Sequence, residues 1–241
     1  MRCNNRLIVA LDFSDMESVK SLVEKLGDTV KFYKVGMELF YSVGVEVIEY
    51  LRTLNKEIFL DLKLHDIPNT VAKGLSSLTR LGVSMLNVHA SGGPAMLEAA
   101  AHAVKAEAEK LGVPRPKLIA VTVLTSINQA EWSALGQSSD IADQVVRLSR
   151  LAKASGIDGV VASPQEATLI KRECGEDFLI VTPGVRPKGA ALNDQSRVAT
   201  PLGALNAGAS HLVVGRPITA ASNPREAAEL ILQEMEGFKD E

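Results

Sequence analysis

Short apolar runs and longer amphipathic stretches alternate along the whole chain. The apolar runs, rich in Val, Ile and Leu, lie at residues 6–12, 30–36, 57–64, 85–90, 118–125, 159–163, 178–185 and 211–216. Each run has the length of a strand that is buried on both faces, and the stretches between them carry apolar residues at helical spacing. The pattern therefore predicts eight strands that alternate with helices.

This number of strand–helix units in 241 residues matches the (β/α)8 TIM barrel, whose typical length is about 250 residues. A doubly wound open sheet has the same alternation and is the competing fold. No GxGxxG turn follows the first strand, and no linker rich in Pro, Gly or Ser divides the chain. We therefore expect a single-domain α/β barrel that spans residues 1–241, with Ser14, Asn69 and Asn223 as helix N-caps or first-turn residues.

The run EIFLDLKL at 57–64 carries charged residues inside an apolar strand. Side chains alternate across a strand, so one face takes Ile58, Leu60, Leu62 and Leu64, and the other takes Phe59, Asp61 and Lys63. Asp66 follows the strand, where Pro68 ends regular pairing. A carboxylate and an ammonium with apolar neighbours are costly to bury unless they compensate each other. The pattern indicates a functional site, and the alternative is a buried ion pair that only fixes the strand register.

Polar residues recur where the predicted strands end. They are Asp12, Lys34, Lys63 with Asp66, His89, Thr125, Ser163, Arg186 and Arg216. In a barrel, the carboxyl ends of the strands meet at one rim, which is where barrel active sites lie. We therefore expect these side chains to converge on one site.

Composition excludes several classes of protein. The net charge is −3 and aromatic residues make up 4% of the chain, whereas a nucleic-acid surface needs a basic stripe with stacking rings. The two cysteines, Cys3 and Cys174, have no metal-ligand spacing and are too few for a disulfide framework. No segment has the length and apolar character of a membrane span. We expect a cytoplasmic protein that binds neither membranes, nucleic acids nor a metal ion.

Six motifs taken together resemble those of one family. They are LIVALD, YKVG, the D-x-K-x-x-D element of DLKLHDIPNT, VLTS, TPGVRP and VVGRPI. With them, the chain resembles the orotidine 5′-phosphate decarboxylases of the bacterial type from Asp12 to Ile218. The D-x-K-x-x-D element alone is shared with a wider group of sugar-phosphate decarboxylases and synthases, so the specificity comes from the other motifs.

The resemblance implies a decarboxylase of orotidine 5′-phosphate that needs no cofactor or metal and acts as a homodimer. Its catalytic residues would be Lys34, Asp61, Lys63 and Asp66, with Lys63 as the cation and proton donor and Asp61 also in contact with substrate. The other substrate contacts would come from Asp12 and Lys34 at the ribose, from Thr70 beside Asp66 of the neighbouring subunit, from Thr125 at the pyrimidine, and from Arg186, Gln195, Gly215 and Arg216 at the 5′-phosphate.

The residue types suit that chemistry. Loss of CO2 from C6 of a pyrimidine leaves a carbanion in the ring plane, which an enzyme without a cofactor must stabilise with preorganised charge. Two carboxylates favour the charged form of an ammonium between them, so Lys63 could neutralise the carbanion and then protonate it. Barrels also often bind phosphate with the loops after strands seven and eight, where Arg186, Gln195 and Gly215–Arg216 lie.

Two other functions remain open at this point. One is a magnesium-dependent decarboxylase or aldol synthase that acts on a ketose phosphate, and it would need a carboxylate where strand two presents Lys34. The other is a catalytically inactive phosphate-binding barrel, which has no need of an ammonium between Asp61 and Asp66. We interpret His65 as a residue that packs or that supports the residues in contact with substrate, and His89 as a rim residue without an assigned partner.

Overall fold

The structure, a computed structural model, describes residues 5–187 and 199–237. Its strands are β1 (Leu7–Leu11), β2 (Phe32–Gly36), β3 (Glu57–Leu64), β4 (Met85–His89), β5 (Lys117–Val121), β6 (Gly159–Val161), β7 (Leu179–Thr182) and β8 (His211–Val214). They are parallel, and each pairs with the next until β8 pairs with β1 and closes the barrel. The predicted (β/α)8 barrel is confirmed, and the open doubly wound sheet is excluded.

Helices surround the barrel and connect its strands. They are α1 (Met16–Leu26), α2 (Met37–Val43), α3 (Glu46–Thr53), α4 (Pro68–Thr79), α5 (Pro94–Leu111), α6 (Gln129–Ala134), α7 (Ile141–Ala154), α8 (Pro164–Cys174), α9 (Pro201–Asn206), α10 (Arg216–Thr219) and α11 (Pro224–Glu236). Within the described ranges, none of these helices is long and apolar enough to cross a membrane.

Alternation along the strands divides the apolar residues into two cores. The smaller core fills the barrel and consists of Ile8, Ala10, Phe32, Phe59, Met85, Ile119, Val181 and Val213, with Val161 partly buried against it. The larger core lies between the barrel and its helices and takes the intervening strand residues, such as Val9, Tyr33 and Leu60. Because successive side chains of a strand point to opposite faces, Lys34 and Asp61 lie on the barrel-interior side, above the inner core.

Of the three residues predicted to mark the starts of helices, Asn69 and Asn223 do so and Ser14 does not. Asp15, not Ser14, caps α1, because its carboxylate accepts the backbone N–H of Ser18 at 2.8 Å. Helix α4 begins at Pro68, so Asn69 lies in its first turn, and among the described residues no side chain caps this helix. Proline fits the first turn of a helix because its missing N–H would have no partner there. The cap at Asn223 is confirmed.

Candidate active site

A row of alternating charges crosses the carboxyl ends of the first three strands. Lys34 Nζ lies 3.1 Å from Asp12 Oδ1 and 3.6 Å from Asp61 Oδ2, and Lys63 Nζ lies 2.7 Å from Asp61 Oδ1. The register pairs Gly36 with Asp61. A Cβ on Gly36 would stand 2.9 Å from Lys34 Nζ, so glycine there leaves room for the Lys34 ammonium. The fold therefore brings Asp12, Lys34, Asp61 and Lys63 together, as the sequence predicts for the rim.

Asp61 is the central acid of this row. Only 7% of the residue is exposed, and burial by itself would raise its pKa. The charges of Lys34 and Lys63, together with hydrogen bonds from Lys63 and Asn87, outweigh burial, so the pKa of Asp61 is lowered. The carboxylate is therefore ionised at neutral pH, and its charge is held in place by two cations.

The strand that carries Asp61 and Lys63 is not regular. Leu60 pairs with Leu86 and Leu64 pairs with Val88, so residues 61–63 of β3 stand opposite a single residue of β4, Asn87. Lys63 has φ of +52°, in the left-handed region that residues with a Cβ seldom adopt. Strand irregularities of this kind are common next to active sites because they redirect a side chain.

Sequence reasoning missed Asn87, which is 1% exposed. Its Nδ2 donates to Asp61 Oδ1 at 2.6 Å, and its Oδ1 accepts the backbone N–H of Lys63 at 2.8 Å. One signal could have found it: Asn87 is the single amide in the apolar strand MLNVH, and a buried amide needs hydrogen-bond partners.

A cavity opens above the two lysines and Asp61. The other walls come largely from the second half of the barrel and are apolar: Phe59, Val121, Val123, Leu124, Val161, Val181, Pro183 and Val213, with Thr125 as a polar exception. The space within the cavity, including the part open to solvent, is about 570 Å³. The cavity is charged on one side and apolar on the other, which suits a flat ligand ring with one strongly polar edge.

Two predicted phosphate ligands lie near each other after β7 and β8. Arg186 is buried, and burial together with the charge of Arg216 lowers its pKa. Among the described residues, Arg186 Nε has no hydrogen-bond partner, while its Nη1 donates to Val185 O. A Cβ on Gly215 would lie 3.5 Å from Asp12 Oδ2, so this region adjoins the charge row. Gln195, also predicted as a phosphate ligand, lies outside the described residues.

Asp66 and Thr70 lie apart from the charge row of their own chain. Both are exposed, and Asp66 Oδ1 accepts a hydrogen bond from the backbone N–H of Ile67. They line an open groove between β3 and α4. Lys63 lines both this groove and the barrel cavity, so it stands between Asp66's groove and the site.

His89 has a partner in the structure, which is His65. Their ring centroids are 5.3 Å apart, and burial, followed by the charges of His65 and Lys63, lowers the pKa of His89. The pair therefore packs beside the turn that follows Lys63. Over the part of the chain that the structure describes, no group of three or more His, Cys, Asp or Glu side chains could hold a metal ion.

Comparison with known proteins adds independent information. Residues 5–231 match the model of the "Orotidine 5'-phosphate decarboxylase / HUMPS family". A protein named orotidine 5′-phosphate decarboxylase from Carboxydothermus hydrogenoformans is 53% identical over 97% of this chain and 97% of its own. One of the same name from Trichlorobacter lovleyi is 50% identical over 96% and 95%, respectively. The crystal structure of orotidine 5′-phosphate decarboxylase from Lactobacillus acidophilus has a TM-score of 0.83 at 44% identity and covers 95% of this chain and 98% of that one.

Proposed function

Since this chain belongs to the orotidine 5′-phosphate decarboxylase / HUMPS family, we propose that it decarboxylates orotidine 5′-phosphate to uridine 5′-phosphate in pyrimidine nucleotide biosynthesis. The observation that carries the proposal is the row Asp12–Lys34–Asp61–Lys63 at one side of an apolar cavity. The cavity walls suit the faces of a pyrimidine ring, and the charge row suits the edge of the ring that carries the carboxylate.

Lys63 supplies the chemistry in this proposal. The C6–carboxylate bond breaks, CO2 leaves, and the electron pair stays on C6 as a carbanion. The ammonium of Lys63 stabilises this charge and then transfers a proton from Nζ to C6. The ion pair with Asp61 supports the role, because a carboxylate at 2.7 Å holds the ammonium in one place before substrate arrives.

The remaining contacts extend from the charge row to the phosphate. Asp12 and Lys34 bind the ribose, and Thr125, which lines the cavity, binds the pyrimidine edge. The 5′-phosphate is bound by Arg186, Gln195, Gly215 and Arg216. Two neighbouring guanidinium groups favour the binding of a dianion, since the negative charge of the phosphate compensates their mutual repulsion.

The enzyme acts as a homodimer in which Asp66 and Thr70 serve the neighbouring site. Exposed apolar side chains support this arrangement: Tyr41, which lines the groove, is 71% exposed, and Ile67, the residue that follows Asp66, is 66% exposed. Apolar groups clustered in this way mark a surface that a protein partner covers. We place the enzyme in the cytoplasm, where a free buried thiol such as that of Cys174 stays reduced.

The reaction proceeds without a metal ion or cofactor. The ammonium of Lys34, held between two carboxylates, would repel a divalent cation, which argues against the magnesium-dependent alternative. The ion pair of Lys63 with the buried Asp61 argues against an inactive phosphate-binding barrel, since binding of phosphate does not require this pair.

A spectroscopic assay tests the proposal. Purified protein, treated exhaustively with EDTA, is mixed with orotidine 5′-phosphate, and the loss of orotate absorbance and the release of CO2 are followed. We expect an unchanged rate before and after EDTA treatment. Activity that is lost with EDTA and restored by Mg²⁺ would favour the ketose-phosphate alternative, and binding without turnover would favour the inactive barrel.

A further inference from the structure

The side-chain amide of Asn87 bridges two parts of the charge row. Its Nδ2 donates to the carboxylate of Asp61 at 2.6 Å, and its Oδ1 accepts from the main-chain N–H of Lys63 at 2.8 Å. A carboxylate can only accept and a main-chain N–H can only donate, so one orientation of the amide satisfies both partners. Asn87 is 1% exposed, and water therefore does not compete for these contacts.

The bridge sits where the strand is least regular. Residues 61–63 of β3 face Asn87 alone, so main-chain groups there leave the regular ladder. Lys63 also holds a left-handed φ of +52°, a conformation that persists only when the surroundings impose it. The bond from Lys63 N–H to Asn87 replaces a strand-to-strand bond at that point and holds the turn that aims the Lys63 side chain.

Asn87 also fixes the central acid without adding a charge. Asp61 Oδ1 receives both the Asn87 amide and the Lys63 ammonium, which leaves Oδ2 for Lys34 at 3.6 Å. A neutral donor satisfies a lone pair of Asp61 but leaves the charge balance between Asp61 and the two lysines unchanged. Rotation of the carboxylate would break the bond from Asn87.

We propose that Asn87 is a positioning residue for the decarboxylation: its amide holds the Asp61 carboxylate and the Lys63 turn in the geometry that proton transfer to C6 requires. The inference rests on the proposed function, and it adds a residue that contacts neither the cavity nor the substrate. Asn87 does not line the barrel cavity, so its effect reaches the reaction through Asp61 and Lys63.

Two variants separate the two hydrogen bonds. Asn87→Leu has a similar size and loses both, whereas Asn87→Asp keeps the acceptor for Lys63 N–H and replaces the amide donor with a second carboxylate, which repels that of Asp61. Ser149→Ala is the matched control: Ser149 is also fully buried with one local bond, from its Oγ to Val145 O, but it lies in α7 away from the charge row. The measurements are kcat, the Kd for uridine 5′-phosphate, the Tm, and hydrogen exchange of the Lys63 amide by NMR.

We expect Asn87→Leu to lower kcat by about 100-fold, the effect of a misplacement of about 1 Å, with little change in the Kd for uridine 5′-phosphate. The main-chain amide hydrogen of Lys63 should exchange faster in Asn87→Leu and remain protected in Asn87→Asp, although kcat should fall in both variants. Ser149→Ala should lower the Tm without lowering the kcat of the folded enzyme.

Three results would overturn the proposal. They are a kcat close to wild type in Asn87→Leu, a loss of kcat matched by an equal loss of nucleotide affinity in that variant, and unchanged exchange of the Lys63 amide in Asn87→Leu. Absence of decarboxylase activity in the wild-type protein would instead overturn the proposed function. Hydrogen exchange of the Lys63 amide would then still show whether Asn87 holds the backbone at Lys63.

Discussion

Replacing Lys63 with alanine removes the ammonium that lies 2.7 Å from Asp61 Oδ1. Proton transfer by a positioned group contributes about 10²–10⁴-fold to a rate. Loss of one preorganised charge-stabilising donor costs about 10²–10³-fold. Since Lys63 supplies both effects in the proposed mechanism, we expect kcat to fall by at least about 10⁴-fold, which corresponds to about 5.4 kcal/mol.

The fold should survive this change. Asp61 keeps the ammonium of Lys34 at 3.6 Å and the amide of Asn87 at 2.6 Å, so its carboxylate is not left without partners. We expect a loss of stability of about 1–3 kcal/mol, as for a buried charged group that loses one of several partners. Circular dichroism, thermal unfolding and binding of uridine 5′-phosphate establish that the variant is folded and has an intact site.

The assay compares single-turnover decarboxylation in Lys63→Ala with that in Lys105→Ala. Lys105 lies on α5, and its ammonium is 3.9 Å from Glu109 in an exposed ion pair, so removing it should change neither the rate nor the fold measurably. Folded, nucleotide-binding Lys63→Ala that retained a hundredth of the wild-type kcat would have lost only about 2.7 kcal/mol. That result would refute the assignment of Lys63 as both the cation and the proton donor.

Two further predictions concern the phosphate and the dimer. Arg216→Ala should raise KM about 10–100-fold, because a charge-assisted contact is lost, while orotidine without its phosphate should react equally slowly with both enzymes; an equal effect on the truncated substrate would make Arg216 structural. Mixing inactive Lys63→Ala and Asp66→Ala subunits should restore some activity, since one site of the heterodimer combines a wild-type Lys63 with a wild-type Asp66. Proven heterodimers without activity would place Asp66 in the site of its own chain.

The sequence predicted the barrel and the rim because both follow from local periodicity. Strand runs that alternate with amphipathic stretches define the order of the elements, and the parallel barrel then brings every strand end to one edge. Asp12 and Lys34 are far apart in the chain, yet the register of β1 with β2 pairs Ala10 with Lys34 and brings the two side chains within 3.1 Å. The proximity of these two side chains could therefore be predicted from the barrel topology alone.

Asn87 could not be predicted in the same way, because its role depends on an irregularity in the partner strand. A regular β3 would pair its successive residues one by one with β4, and Asn87 would then face one residue only. The pairing of three residues of β3, 61–63, with one residue of β4 depends on both strands, and the residue pattern of β3 alone does not predict it. The prediction of Ser14 as the start of α1 was wrong by one residue, which lies within the usual uncertainty of helix boundaries.

The D-x-K-x-x-D element places its two acids in different surroundings. Alternation alone would put Asp61 and Lys63 on one face of a continuous strand and Asp66 on the opposite face. In the structure, β3 ends at Leu64, just after the left-handed conformation at Lys63, and Asp61 is buried in the barrel while Asp66 lies exposed in the outer groove. Six residues thus present one acid to their own cavity and another to the outside, with the Lys63 side chain lining both spaces. A dimer that covers the groove would use this geometry directly, because a single turn would then supply residues to two sites.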